Sequence, residues 1–461
     1  MKKISILLCM IMIMSCIGLT ACGADSGAAQ TEAVQENAIQ DSTAESDNAD
    51  DAADTASSEQ ESEADAPETE SGEEAQTEEG SEDTMGSAQL SDGITIPELS
   101  LPKLNVPDSD AFVFLDNMGV GFNLGNTLDA YSDPTPSDEM STETCWGNPE
   151  TTEQMIKDIH AYGFDTIRIP VSWHNHVDAN YNISEQWLDR VNEIVDWAYN
   201  DGMYVIINIH HDNHQEANGL YPDRDHLDQS NKYVAHIWEQ VSERFADYDE
   251  HLIFEAMNEP RLVGTDNEWE LDGNGDCREA VDCINELNQL FVDTVRASGG
   301  NNATRYLMCP GYCASVDGAT SPFFELPKDT EGNEAKIILS VHAYTPYNFA
   351  LEYPGVKDFD IDNSDRTVDI KTFMNKLYMD YITQGIPVVI GEFGSRDKVG
   401  NLQDRVNYAA YFTAMSRARD IPCIVWDNGL FSGDGEIFGL YDRRNPGNSQ
   451  TDIIAALMQY K

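Results

Sequence analysis

Hydrophobic positions between residues 110 and 461 follow two alternating patterns. Short, nearly continuous apolar runs predict strands covered on both faces. Longer stretches with an apolar residue every three or four positions predict helices. The strand-like runs are Val120–Leu124, Thr166–Val171, Tyr204–Ile209, Leu252–Met257, Arg305–Cys309, Lys336–Val341, Pro387–Ile390 and Ile421–Trp426. Between them, Glu150–Tyr162 places Met155, Ile156, Ile159 and Tyr162 on one helical face, follows Pro149 and stops at Gly163. Ser184 is the expected cap of a helix whose Leu188, Val191, Val195 and Ala198 share a face. Repeated strand–helix alternation predicts an α/β fold, a (β/α)8 TIM barrel over residues 94–461. An open doubly wound sheet fits less well, because no glycine-rich phosphate loop follows the first strand.

The pattern is absent from the first part of the chain. Lys2 and Lys3 precede an apolar run, Ile4 to Leu19, too short for a comfortable membrane span. It ends in Leu19-Thr20-Ala21-Cys22, which resembles a bacterial lipoprotein lipobox. Residues 1–21 are therefore expected to be a signal peptide and Cys22 a lipidated anchor, placing the protein outside the cell on the envelope. From Lys3 to Lys103 there is no Lys or Arg, and Asp, Glu, Ser, Thr, Ala and Gln dominate. Residues 22–93 thus read as a disordered acidic linker, with too little apolar surface to offset the entropy of ordering.

Net charge is −56, from 83 acidic against 27 basic residues. A nucleic-acid partner is disfavoured, since phosphates need basic surfaces, and contact with anionic lipid is expected only through the anchor. Cys145, Cys277, Cys283, Cys309, Cys313 and Cys423 follow Cys22. Export permits disulfides, with Cys277–Cys283 and Cys309–Cys313 the pairs close in sequence. No zinc-like cysteine set is present.

In a barrel, chemistry collects where strands end. Those ends carry Asn123, Arg168, His210-His211-Asp212, Asn258-Glu259-Pro260, His342-Ala343-Tyr344, Gly391-Glu392-Phe393 and Trp426-Asp427-Asn428. Glu259 and Glu392 follow strands four and seven, across the mouth from each other. Two carboxylates flanking one bond are what glycoside hydrolysis needs. Asn-Glu also occurs at residues 192, 267, 285 and 333, but only Asn258-Glu259 leaves an apolar strand and meets a proline. Glu255 lies on the same strand side as Glu259. It is expected to be structural, with Arg168 as a candidate partner. His210, His211, Asp212 and His214 invite a metal reading. Neighbouring strand residues point to opposite faces, however, so a shared ion is not expected.

Eight stretches in order resemble glycoside hydrolase family 5, most closely its subfamily 4. They are GFNLGNTLDA from Gly121, WGNPETT from Trp146, IRIPVSWHNH from Ile167, VIINIHHDN from Val205, FEAMNEPR from Phe254, SVHAYTPYNFA from Ser340, VVIGEFGS from Val388 and VWDNG from Val425. The resemblance spans about residues 110–461. It implies a retaining endo-β-1,4-glucanase with Glu259 as acid/base and Glu392 as nucleophile. Asn258 would hold the sugar 2-hydroxyl. Arg168 and Tyr344 would hydrogen-bond the nucleophile and keep it ionised. His210 and His342 would line the subsite of the cleaved sugar, and Trp426 would lie under that sugar. His211, Asn123 and Trp146 are further substrate-binding candidates, with Trp173, Tyr347 and Phe431 as loop aromatics. The implied partner is a β-1,4-linked glucan or xyloglucan, with xylan and mannan as alternatives. No cofactor and no metal are implied, and a monomer is expected. A non-catalytic glucan-capturing lipoprotein is the alternative of another class. No carbohydrate-binding repeat is recognisable, which points toward soluble or loosened glucans.

Overall fold

The computed structural model describes residues 90–271, 275–433 and 435–461. The chain divides into residues 1–79 and 80–461. The expected signal peptide, Cys22 and nearly all of the expected linker lie outside the described residues.

Eight parallel strands close a barrel in chain order. They are β1 (Val120–Leu124), β2 (Thr166–Ile169), β3 (Tyr204–Asn208), β4 (Leu252–Glu255), β5 (Leu307–Ser315), β6 (Ile337–His342), β7 (Val388–Phe393) and β8 (Cys423–Asp427). The strand residues are almost all buried, as expected where helices cover the outside and side chains fill the inside. The apolar strand pattern of the sequence therefore translates directly into the barrel.

The edges of the elements depart from expectation in informative ways. The strand expected to stop at Cys309 runs to Ser315, through a register shift against β6 between Pro310 and Ser315. The helix expected from Glu150 begins at Glu153, because Thr152 accepts the Met155 N–H at 3.3 Å and caps it. Ser184 does precede the helix Glu185–Asn200, but its hydroxyl bonds the Glu139 carboxylate instead of capping. Cys283, Cys309 and Cys313 are free thiols, so neither close cysteine pair is bridged.

Before the barrel, residues 94–106 lie along its outside. Ile94, Ile96, Leu99, Leu101 and Val106 pack on the core. Leu104 N–H donates to Ala418 O at 2.8 Å, and Gln403 exchanges two hydrogen bonds with the Thr95 backbone. At the amino-terminal end of β5, the buried Arg305 guanidinium donates to the carbonyls of Phe245, Tyr248, Asp249 and Leu252. Those bonds tie the β4 entry to the β5 entry.

Candidate active site

A cluster of polar residues fills the barrel interior toward the carboxyl ends of the strands. Strand alternation aims Asn123, Arg168, Asn208, Glu255 and Ser340 inward, and each is fully buried. The register pairs Asn123 with Arg168 and Asn208 with Glu255. Arg168 is the hub. Its Nε donates to Glu255 Oε2 at 2.7 Å, Nη1 to Glu392 Oε1 at 2.8 Å and Asn123 Oδ1 at 2.9 Å, and Nη2 to Asn258 Oδ1 at 2.8 Å. Glu255 also accepts from Ser340 Oγ at 2.6 Å and Asn208 Nδ2 at 3.0 Å. The expected structural role for Glu255, with Arg168 as partner, matches this geometry.

Asn123 is a correction. It does not reach the cleft: its Nδ2 donates to Gly391 O at 2.9 Å and is also within reach of Ile424 O and Val425 O, while Oδ1 is taken by Arg168. Every polar atom is used inside the barrel, so no contact with a sugar remains to it. Arg168 is equally sealed and touches carboxylates rather than the cleft.

A register shift between β6 and β7 at Val341 and His342 sets His342 opposite Glu392. Such irregularities re-aim side chains. A Cβ at Gly391 would stand 3.1 Å from His342 Nε2, so a glycine here leaves room for the imidazole. His342 Nδ1 lies 2.8 Å from Glu259 Oε1 and 3.7 Å from Glu392 Oε1. One atom of each of Glu259, His342 and Glu392 lies within 4.8 Å of the others. The two carboxylates thus face each other closely across the imidazole. Tyr344 OH donates to Glu392 Oε2 at 2.9 Å, and burial keeps that phenol protonated far above its ordinary range.

Electrostatics departs from the expectation for Glu392. The expected donors are present, and the charges of His342 and Arg168 do pull its pKa down. Burial outweighs them and, with the Glu259 charge, leaves the carboxyl above its ordinary value. Burial also raises Glu259, but the His342 hydrogen bond and the His342, Arg261 and His211 charges bring it below the ordinary value. His342 itself is raised: burial opposes its charge, while Glu392 and Glu259 together favour it. The three groups titrate as a unit. An ionised Glu259 beside a protonated His342 holds the same number of protons as a protonated Glu259 beside a neutral His342.

Hydrogen-bond orientation settles two further side chains. Asn258 Oδ1 faces the donor-only Arg168, so its Nδ2 faces the cleft as a donor. Asn208 Oδ1 accepts from Val171 N–H at 3.1 Å and its Nδ2 serves Glu255, so Nδ2 must also serve His210 Nδ1 at 3.1 Å. His210 therefore accepts at Nδ1 and carries its proton on Nε2. Burial and the neighbouring His211 and Arg168 hold it neutral.

The histidine pair required the other correction. β3 ends at Asn208, so strand alternation no longer governs His210 and His211, and with Asp129 they offer atoms within 4.8 Å of one another. A metal ion there would need the His210 Nε2 lone pair, which the proton occupies. Asp129 is also committed, accepting from Asn126 N–H at 3.0 Å and Thr127 N–H at 2.7 Å. This donor set suits hydroxyl groups, not a cation. Asp212 points elsewhere, accepting from the backbone of Trp173 and His174 and from Tyr233 OH.

Aromatic rings flank these groups. Trp426 lies parallel to the His210 ring with centroids 6.0 Å apart, above Gly125, where a Cβ would come within 2.6 Å of the indole. Trp146 Nε1 donates to Tyr131 O at 3.0 Å, and Tyr131, Trp146 and His211 meet at ring distances of 5.3–5.7 Å. Trp173 is buried and bonds Asn208 O, so it is core rather than cleft. Sequence reasoning missed Tyr131 and Arg261. Arg261 stacks on Trp269 at 4.0 Å and lies 3.7 Å from Glu259 Oε2. Its place directly after Pro260 was the available signal.

A facing carboxylate pair at the carboxyl-terminal mouth of a (β/α)8 barrel, with neutral hydrogen-bond donors and rings around it, defines a barrel glycosidase. Residues 128–432 match the family model described as cellulase (glycosyl hydrolase family 5). Endoglucanase A of Ruminococcus albus is 41% identical over 343 residues, 73% of this chain and 89% of that protein. Endoglucanase B of Neocallimastix patriciarum is 42% identical over 332 residues, 71% of this chain and 67% of that protein. Among solved structures, a glycoside hydrolase 5 lichenase mutant from a Caldicellulosiruptor species in complex with cellotetraose superposes with TM-score 0.78 at 50% identity, covering 80% of this chain and 99% of that one. A subfamily 4 broad-specificity endoglucanase from Ruminococcus champanellensis with bound cellotriose gives 0.70 at 41%, covering 77% and 100%. The chain belongs to glycoside hydrolase family 5, and it is a glycoside hydrolase.

Arg168→Lys keeps the charge but loses the planar fork that serves four acceptors. Unfolding stability should fall by about 3–5 kcal/mol, and kcat/KM by about a hundredfold or more, the scale of losing oriented catalytic groups. Chemical denaturation and initial rates on the folded variant measure both.

Proposed function

We propose that this chain is a retaining endo-β-1,4-glucanase acting on cellulose-type and mixed-linkage glucans. The observation that carries the reading is the close approach of Glu259 and Glu392 on either side of His342. Retaining glycosidases hold their carboxylates about 5–5.5 Å apart, whereas inverting ones leave about 6.5–9.5 Å for a water.

In the first step Glu392 attacks the anomeric carbon and the glycosidic C–O bond breaks. Glu259 gives its proton to the departing oxygen. The donors from Arg168 and Tyr344 fix the attacking carboxylate in place. In the second step water loses a proton to Glu259 and attacks the same carbon, releasing the sugar and restoring Glu392. His342 holds the cycling proton beside Glu259, within one hydrogen bond of where it is used. Asn258 Nδ2 and the His210 Nε2–H donate to hydroxyls of the cleaved sugar, and Trp426 supplies an apolar face to its ring. His211 and Trp146, on the same wall as Tyr131, bind the sugars beyond.

Broad action is the second reading within the class. It is favoured by the lichenase and the broad-specificity endoglucanases among the structural neighbours, and xyloglucan falls within it. The basic–apolar leader and Leu19-Thr20-Ala21-Cys22 support export and a lipid anchor on Cys22, with residues 22–93 as an acidic tether.

Glu392→Gln and Glu259→Gln should each lower hydrolysis of carboxymethylcellulose by at least about a thousandfold in protein that circular dichroism shows to be folded. Retained activity in either variant contradicts the reading. On lichenan, xyloglucan, xylan and mannan, rates should be highest for the glucans. A faster rate on mannan or xylan would move the substrate class. For the anchor, Cys22→Ser should shift the protein from the membrane fraction to the medium in a bacterial host, and an unchanged distribution would remove the lipoprotein assignment.

A further inference from the structure

The loop after β4 carries a cation to the edge of the catalytic pair and holds it there from several sides. Arg261 exchanges two hydrogen bonds of 2.9 Å with the Asn213 amide, its N–H donating to Oδ1 and its carbonyl accepting from Nδ2. Its guanidinium lies over the Trp269 ring at 4.0 Å, Nε reaches Glu268 Oε1 at 3.4 Å, and Nη1 donates to the Glu259 carbonyl at 3.0 Å. The far part of the loop is fixed in turn. Glu268 Oε2 accepts from Gly264 N–H at 2.9 Å, Asn267 O from Tyr312 OH at 2.7 Å and Glu268 O from the Cys313 thiol at 3.1 Å. Tyr312 and Cys313 belong to the part of β5 that runs past Cys309, so the unexpected length of that strand supports this loop.

The two carboxylate oxygens of Glu259 are served differently. Oε1 lies 2.8 Å from His342 Nδ1. Oε2 lies 3.7 Å from Arg261 Nη1, beyond hydrogen-bond reach. Glu392, by contrast, takes a direct 2.8 Å bond from Arg168. The difference suits the two tasks. A guanidinium only donates, so bonded to Oε2 it would occupy the oxygen that has to carry a transferable proton. At a non-bonding distance its charge acts on the carboxylate while the lone pair stays free.

We propose that Arg261 is a positioning residue for the acid/base: stacked on Trp269 and paired with Glu268, it leaves Glu259 Oε2 free to carry the transferred proton and stabilises the negative charge left there once the glycosidic oxygen takes that proton. This rests on Glu259 being the acid/base. As the C–O bond breaks, the proton moves from Oε2 to the departing oxygen, and the carboxylate keeps the electron pair until water returns a proton. Other groups also face Glu259. His342 at the end of β6 and His211 beyond β3 favour its ionised form when charged, as Arg261 does, and Glu392 on β7 opposes it. Cys313 on β5 and Tyr344 beyond β6 feel its charge, and burial keeps both protonated; Glu436 in the loop after β8 feels it too. Arg261 is itself opposed by Glu268.

A cation beside a carboxyl favours the ionised form, so its removal makes the proton harder to lose. In Arg261→Met the basic limb of the kcat/KM profile on a soluble cello-oligosaccharide, where the acid/base loses its proton, should move to higher pH by about one unit. The acid limb, set by Glu392 with Arg168 as its cation, should stay in place. Glu268→Gln leaves Arg261 unopposed and should move the basic limb the other way, to lower pH, by less. Arg261→Lys keeps a cation and should bring the limb most of the way back. Circular dichroism shows which variants are folded. Opposite shifts from the two ends of one ion pair are not what a loosened loop would produce. A basic limb unmoved in folded Arg261→Met overturns the proposal, and a raised KM with the limb unmoved does so by making Arg261 a contact of the leaving sugar. If Arg261→Met does not fold, Glu268→Gln decides, and an unmoved limb there overturns the proposal. Glu259→Gln is run alongside: full activity in it means that the assignment of Glu259 has failed, whereas a collapse there with an unmoved limb in Arg261→Met isolates the failure to Arg261.

Discussion

A guanidinium sealed inside a barrel must be matched by acceptors, or the cost of removing it from water is prohibitive. Arg168 meets that demand with four partners on three strands and their ends: Asn123, Glu255, Asn258 and Glu392. The arrangement makes stability and chemistry the same constraint. Two of those partners, Asn258 and Glu392, are also groups proposed above to act on the sugar. Asn258 is turned so that its amide hydrogens face the cleft, and Glu392 is fixed by one of its own oxygens.

Around that hub, the proton inventory is shared rather than assigned to a single residue. Burial raises Glu392, while His342 and Arg261 lower Glu259. Taken one at a time, these directions oppose the roles of nucleophile and acid. Taken together they describe a buried trio in which a proton resting on His342 is one 2.8 Å hydrogen bond from Glu259 Oε1. The neutral His210, fixed by Asn208, adds a donor to the cleft without adding another charge. Tyr344, kept protonated by burial, does the same for Glu392.

Much of this was legible in the residues. Continuous apolar runs located all eight strands, and Glu259 and Glu392 stood out because each sits at the carboxyl end of an apolar strand rather than in a helix. What the chain did not disclose was three-dimensional. Asn123 sits at a strand end like the cleft residues, yet its hydrogen bonds turn it inward. Burial reversed the direction expected for Glu392, and burial has no local sequence signature. The end of β3 at Asn208, one residue early, brought His210 and His211 together against the alternation rule. Tyr131 and Arg261 lie on loops, where no periodicity marks a side chain as facing the cleft.

Retention is the property that depends most directly on the spacing of Glu259 and Glu392. Proton NMR of a cello-oligosaccharide digest, recorded before mutarotation equilibrates the products, reads it from the anomeric signal of the first-formed reducing end. The β-anomer appearing first is the expected result. The α-anomer appearing first would mean single displacement by water and would contradict Glu392 as a nucleophile.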